Sequence, residues 1–256
     1  FRIIGTLNTQ DKHFLHQLSD ALKSRFSSVE IPIPSLERAE DEIFFAVNNA
    51  LRDLNHENNY SHLILIDDAA HEILNEGGTE IQKQILKDLL HCYHILASVR
   101  LFHKLGTALL MKMYKTIITE KDFITHNKTD LTSTGLDNAI TSALIPQFGG
   151  LTKPELGTIR ALHTFGGVSK LFSIAHENRK QSKYEKPFEK VIDYLGMGGK
   201  EALVKQFKSD DDFPQWQVIQ AAHEKMSEKL FLFTGGENRI IKFIRRIEDL
   251  EENALI

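Results

Sequence analysis

Two adjacent carboxylates close one of the most apolar segments of the chain, and a glycine-rich turn follows. Asp67 and Asp68 come directly after the run LILI. At the carboxyl end of a strand, such carboxylates can hold Mg²⁺ or the hydroxyls of a ribose. Backbone N–H groups at the start of a helix can cradle a phosphate. The pattern therefore predicts Asp67 and Asp68 as metal or ribose ligands, and as phosphate-binding residues Gly77, Gly78 and Thr79.

Two further side chains are candidates for the same site. His71 lies beside the acidic pair, and its imidazole suits general acid–base catalysis. Lys12 follows the first predicted strand, at the sheet edge that Asp67 would share, and could contact a phosphate. Residues 8–11 (NTQD) also fit a helix start that needs no ligand.

The order of apolar strand, acidic pair, loop, Gly-Gly-Thr and helix resembles the diphosphosugar-binding loop of phosphoribosyltransferases. The resemblance covers this segment only; the loop is longer than is usual in that family, and Glu76 stands where the family usually has Thr. It implies a transferase that binds Mg²⁺ and a phosphorylated nucleotide or sugar-phosphate, and that carries out glycosyl or phosphoribosyl transfer. This is the first functional hypothesis.

A helical interpretation of the same residues is also open. On a helix, Asp68 and Glu72 share one face, which is similar to the aspartate-rich helix of prenyl-chain enzymes. Such a site needs a second acidic motif, and Asp53 and Glu57 have the same spacing. A third interpretation needs no ligand: Asp67 and Asp68 cap a helix.

The second functional hypothesis is a non-enzymatic protein-interaction module whose helical second half carries the partner-binding surface. The sequence contains no nucleophile elbow, phosphate-binding Walker loop, dinucleotide-binding glycine motif or zinc pattern. Cys92 lies in an apolar run, where a free cysteine is usually packed. His91 and His94 have a spacing that could place both on one metal ion.

Hydrophobic periodicity predicts the elements that would position these residues. Short β-rich runs at 1–7, 29–33 and 61–68 alternate with helical patterns. The segment 94–102 (HILASVRLF) fits a fourth strand or a continuing helix, and the strand is preferred. This alternation predicts an α/β fold, with a parallel-sheet, Rossmann-like N-terminal part followed by an all-helical C-terminal part. The predicted domains are 1–122 and 136–256, joined by a linker at 123–135.

Helical details can also be predicted. Ser35 is expected to cap a helix with an apolar stripe of Ile43, Phe44, Val47, Leu51 and Leu54. Thr152–Glu155 forms a capping box. A final amphipathic helix has the apolar stripe Ile240, Phe243, Ile244, Ile247 and Leu250.

Composition limits the partners and the compartment. The chain has 256 residues, 31 Lys and Arg against 35 Asp and Glu, and a net charge of −4, so no basic excess favours a nucleic-acid partner. No apolar run is long enough to span a membrane. A single cysteine rules out an intrachain disulfide and favours a reducing, cytoplasmic location. Because the sequence begins with Phe1, a processed chain whose targeting signal has been removed is expected.

Overall fold

The described residues are overwhelmingly helical. The computed structural model describes residues 32–54, 80–127, 134–164, 166–168, 170–171, 174, 182–194 and 239–254. The chain divides into Phe1–Pro32 and a larger unit, Ile33–Ile256, and every described residue except Pro32 belongs to that larger unit. Helix accounts for 83% of the described part, which contains no strand.

The described helices are numbered here in chain order. Short 3-10 turns precede the first helix, at Leu36–Arg38, and follow the fourth, at Ile145–Gln147. The α-helices are α1 (Ala39–Leu54), α2 (Glu80–Arg100), α3 (Thr107–Asn127), α4 (Thr134–Leu144), α5 (Lys153–Leu162), α6 (Ser182–Tyr194) and α7 (Ile241–Asn253).

The predicted α/β, Rossmann-like fold is wrong for the part of the chain that the structure describes. The segment 94–102, expected as a strand, forms the end of α2 and the turn after it. The expectation failed because α2 is buried on all sides here, so its sequence has no polar face to reveal a helical period. The buried positions run almost without interruption through Tyr93, Ile95, Leu96, Ala97, Ser98 and Val99.

Other parts of that prediction fall on residues outside the described ranges. The expected strands at 1–7 and 61–68, and the start of the one at 29–33, lie there. The division into 1–122 and 136–256 stays a prediction. Within the expected linker, residues 123–127 continue α3 as helix.

The core lies between α2, α3 and the helices that pack against them. α1 packs on α3, α4 packs on α2, α3 and α7, and α5 packs on α2, α6 and α7. The inner face of α1 follows from its sequence, since small and branched apolar residues recur at helical spacing at Ile43, Ala46, Val47, Ala50 and Leu51, all buried.

A buried ion pair joins α1 to α2. The guanidinium of Arg100 donates from Nη1 to Glu42 Oε2 at 2.8 Å and from Nη2 to Glu42 Oε1 at 2.6 Å. Thr107, at the start of α3, donates its hydroxyl to Glu42 Oε1 at 2.7 Å. Arg100 Nε donates to the Leu105 carbonyl at 2.8 Å. These bonds satisfy both charges and fix α1 against the α2–α3 turn.

Two helix starts in the C-terminal half are capped in different ways. The predicted capping box is confirmed at α5, where the Glu155 carboxylate accepts the backbone N–H of Thr152 at 2.8 Å and its hydroxyl at 2.9 Å. At α7 the cap comes from α4, because Asp137 accepts the backbone N–H groups of Lys242 and Phe243 at 2.8 and 2.9 Å. A carboxylate at a helix N-terminus also stabilises the helix dipole.

None of the described helices combines the length and the apolar character needed to cross a bilayer.

Candidate functional site

The residues of the predicted phosphate and Mg²⁺ site all lie outside the described ranges, so the structure neither brings them together nor separates them. They are Lys12, Asp67, Asp68, His71, Gly77, Gly78 and Thr79. The prediction of bound Mg²⁺ and of a phosphorylated ligand stays a prediction.

Of the four acidic residues in the helical alternative, only Asp53 is described. It lies near the end of α1, and its carboxylate accepts a hydrogen bond from Lys115 Nζ of α3. This hydrogen bond is the largest influence on the Asp53 carboxyl and lowers its pKa. In the structure this carboxylate therefore forms an ion pair with Lys115.

Among the described residues there is no group of three or more His, Cys, Asp or Glu side chains that could hold a metal ion. The spacing of His91 and His94 therefore does not complete a metal centre within that part of the chain. Cys92 is fully buried, and burial raises the pKa of its thiol well above the ordinary value. A thiol held in this state is packed, as the sequence favours, and does not supply a thiolate nucleophile.

A cluster of polar side chains lies inside the bundle where α2 meets α5 and α6. It is called here the histidine cluster and consists of His91, His94, Ser98, His163 and Tyr194. The Ser98 hydroxyl and His163 Nε2 are 2.8 Å apart. His94 Nδ1 and the Tyr194 hydroxyl are 3.2 Å apart. The rings of His91 and His163 have centroids separated by 6.3 Å.

The hydrogen-bond partners of Ser98 favour one tautomer of His163. Ser98 donates its hydroxyl proton to the Ile95 carbonyl at 2.7 Å, so its oxygen accepts a hydrogen bond from His163, and Nε2 carries the proton. Nδ1 of the neutral ring is then an acceptor. It is buried, and no hydrogen-bond partner for it is found in the described structure.

Burial disfavours the charged forms of His163, His91 and Tyr194. Desolvation lowers the pKa of His163 well below its ordinary value, and His91 and His94 lower it further. Desolvation, followed by Arg239 and His94, lowers the pKa of His91 to about 4. Burial also raises the pKa of Tyr194. The Ser98–His163 distance suits a nucleophile and its base, but Ser98 is fully buried and its proton is held by Ile95.

The outer face of α1 carries the second feature of interest. Phe44 and Phe45, called here the aromatic patch, expose 44% and 55% of their surface. Asp41 and Arg52, also exposed, lie on the same side of the helix. The only other exposed large apolar residue among those described is Ile241 of α7.

One residue of this face was assigned wrongly from the sequence. Phe44 was expected in the buried stripe of α1 and is instead nearly half exposed. Adjacent residues are turned by about 100° on a helix, so on a helix that buries only one face, as α1 does, Ile43, Phe44 and Phe45 cannot all face the core. Three consecutive apolar residues were therefore the signal that one or two of them point outward.

In comparisons with known proteins, no family model, no curated protein and no solved structure matches the chain.

Proposed function

We propose that the described helical part is a protein-interaction module whose docking surface is the outer face of α1 around the aromatic patch. The observation that carries the proposal is the exposure of two adjacent phenylalanines, Phe44 and Phe45. A half-exposed phenylalanine forgoes about 1 kcal/mol of the free energy that full burial contributes. A partner that covers both side chains would gain that free energy on binding.

The residue types on this face support the proposal. Exposed Arg52 lies near the C-terminal end of the same surface, and aromatic residues and arginine are enriched where protein interfaces bind most strongly. α1 is also held in place, because its buried Glu42 binds Arg100 of α2 and Thr107 of α3. A surface that is already ordered loses little conformational entropy on binding.

The test replaces the aromatic patch without disturbing the core. Phe44→Ser with Phe45→Ser removes the patch, and Ile241→Ser is the matched control, since it removes an exposed apolar side chain from α7. The wild type and the two variants are each immobilised. The proteins that they capture from native extract are compared by quantitative mass spectrometry with isotope labels. Candidate partners are then purified and their affinities are measured directly; self-association is followed by sedimentation velocity.

A partner, whether another protein or a second copy of this chain, should bind the wild type and the Ile241 variant equally. Its affinity for the double variant should fall by roughly tenfold or more, in line with the loss of two aromatic anchors. Unfolding curves must show that the double variant remains folded. If direct measurement finds equal affinities for all three chains, or no specific partner, the proposal fails.

The alternative, a Mg²⁺-assisted transferase, rests only on the pattern from Asp67 to Thr79. Its test is a thermal-shift panel with Mg²⁺ and phosphoribosyl diphosphate, NAD, ATP, GTP or a nucleotide sugar. A ligand at about 100 times its dissociation constant should stabilise the fold by about 2.7 kcal/mol. The shift should disappear in Asp67→Asn with Asp68→Asn and persist in the matched acidic pair Asp210→Asn with Asp211→Asn. A shift that survives the first substitution would contradict this site.

A further inference from the structure

Two hydrogen bonds of the histidine cluster attach the end of α5 and the end of α6 to α2. His163 is the residue that directly follows α5, and its Nε2 bonds Ser98 of α2 at 2.8 Å. Tyr194 is the last residue of α6, and its hydroxyl bonds Nδ1 of His94 of α2 at 3.2 Å. In both attachments one of the two partners is a histidine, which is the side chain that changes charge in mildly acid solution.

His163 is poorly placed to accept a proton while it stays in this position. The proton would enter at Nδ1, because Nε2 already carries one, and Nδ1 is buried with no acceptor found among the described residues. The titratable groups that act on this ring are His91 and His94, and both oppose a positive charge on it. A buried charge without a compensating partner is strongly unfavourable.

Charged groups on the elements packed around the cluster contact other residues. The contacts are Arg239 with Asp88 of α2, Glu248 and Glu251 of α7 with Arg160 of α5, and Lys190 of α6 with the carbonyl of Leu101. None of these contacts brings a carboxylate to His163.

We propose that the histidine cluster makes the attachment of α5 and α6 to α2 acid-sensitive, so that protonation of His163 releases these two helices while α1, α2 and α3 stay packed. Release lets water solvate the new cation, which the closed arrangement cannot do. The packing of α1, α2 and α3 has its own supports. The Glu42–Arg100 ion pair joins α1 to α2, and the hydroxyl of buried Tyr114 of α3 bonds the Leu89 carbonyl of α2 at 3.2 Å.

The size of the effect follows from proton linkage. A histidine with an ordinary pKa of about 6.5 in the released state, and no affinity for protons in the closed state, shifts the equilibrium toward release about thirtyfold between about pH 7.5 and about pH 5. Residual protonation in the closed state reduces this factor. A change of at least about tenfold is therefore expected from His163.

The experiment compares two regions of the intact chain at the two pH values. Hydrogen exchange with mass spectrometry, corrected for the intrinsic pH dependence of exchange, gives the protection of α5 and α6. Cys92 reports on the other region, because it is fully buried and lies close enough to Tyr114 of α3 to influence its pKa. Its exposure is followed with a dipyridyl disulfide, which reacts with thiols in acid.

The proposal expects protection of α5 and α6 to fall at least about tenfold at the lower pH while Cys92 remains protected. His163→Gln keeps an N–H that can reach Ser98, but the glutamine side chain does not titrate. Its loss of protection in α5 and α6 at the lower pH should therefore be clearly smaller than that of the wild type. His103→Gln, which removes a histidine from the turn after α2, is the matched control and should behave as the wild type does.

Three results would overturn the proposal. One is unchanged protection of α5 and α6; another is exposure of Cys92 in parallel with them, which is acid unfolding of the whole unit. The third is a loss of protection of α5 and α6 in His163→Gln that is as large as in the wild type. If that variant does not fold, the first two measurements on the wild-type chain still decide the question.

Discussion

Replacing Arg100 by Leu should destabilise the fold more than any exposed substitution, because it leaves the Glu42 carboxylate buried without its counter-charge. The side chains of Arg100 and Glu42 expose only 9% and 1% of their surface. The substitution removes two charge-assisted hydrogen bonds to Glu42 and one to the Leu105 carbonyl. Among the described residues, Thr107 is then the one that still bonds Glu42. Breaking a buried pair in this way lowers the free energy of unfolding by about 3–5 kcal/mol.

A double-variant cycle separates the pair from its surroundings. Glu42→Leu alone should be destabilising to a similar extent, since it leaves the guanidinium buried and unpaired. The combination of Glu42→Leu and Arg100→Leu removes both charges together. It should lower the free energy of unfolding by only about 1–2 kcal/mol, because it also loses the hydrogen bonds that the pair makes to Leu105 and Thr107. The double variant should therefore be more stable than either single variant.

The assay is urea unfolding followed by far-ultraviolet circular dichroism near neutral pH. Arg38→Leu is the matched control, because Arg38 forms an exposed ion pair with Asp41 at 3.0 Å and its removal should change stability by less than about 1 kcal/mol. The reasoning would be refuted if Arg100→Leu were no more damaging than Arg38→Leu, or if the double variant were as unstable as the sum of the single variants.

Three further predictions concern the cap of α7, the buried thiol and the dependence on pH. Asp137→Ala leaves two backbone N–H groups of α7 without their acceptor and should lower the free energy of unfolding by about 1–2 kcal/mol in urea titrations, whereas exposed Asn253→Ala should have little effect. Cys92 should react with a thiol reagent only at the rate of unfolding, and rapid labelling of the native chain would contradict its burial. Because burial holds the pKa of His91 at about 4, folding favours the neutral ring, so its contribution to stability is complete above about pH 6.5 and is lost as the pH falls toward 4. The loss should reach about 2 kcal/mol at pH 5 and about 3 kcal/mol at pH 4, and His91→Gln should show a smaller change if this assignment is correct.

The predicted catalytic pattern and the observed sites arise from different kinds of information. Asp67, Asp68 and the Gly-Gly-Thr turn were found because their chemistry is local in sequence, and the structure does not describe them. The histidine cluster depends on contacts such as Ser98–His163, which are 65 residues apart. Sequence spacing identified His91 and His94 as a pair but gave no sign that His163 lies beside them.

The sequence by itself determined the features that depend on neighbouring residues along the chain. These are the buried stripe of α7, the capping box of α5 and most of the inner face of α1. Each follows from helical periodicity or from a hydrogen bond between residues within one turn.

Only the tertiary structure decided which helix occupies the interior and which groups meet across the bundle. α2 was misassigned near its end because a helix surrounded by others has apolar residues on every side, and such a run has no period to distinguish it from a buried strand. The Glu42–Arg100 pair, the Asp137 cap of α7 and the Ser98–His163 bond join residues 58, 105 and 65 positions apart. Local periodicity specifies the face a helix buries, but not the partner, because the partner is selected by the packing of the whole set of helices.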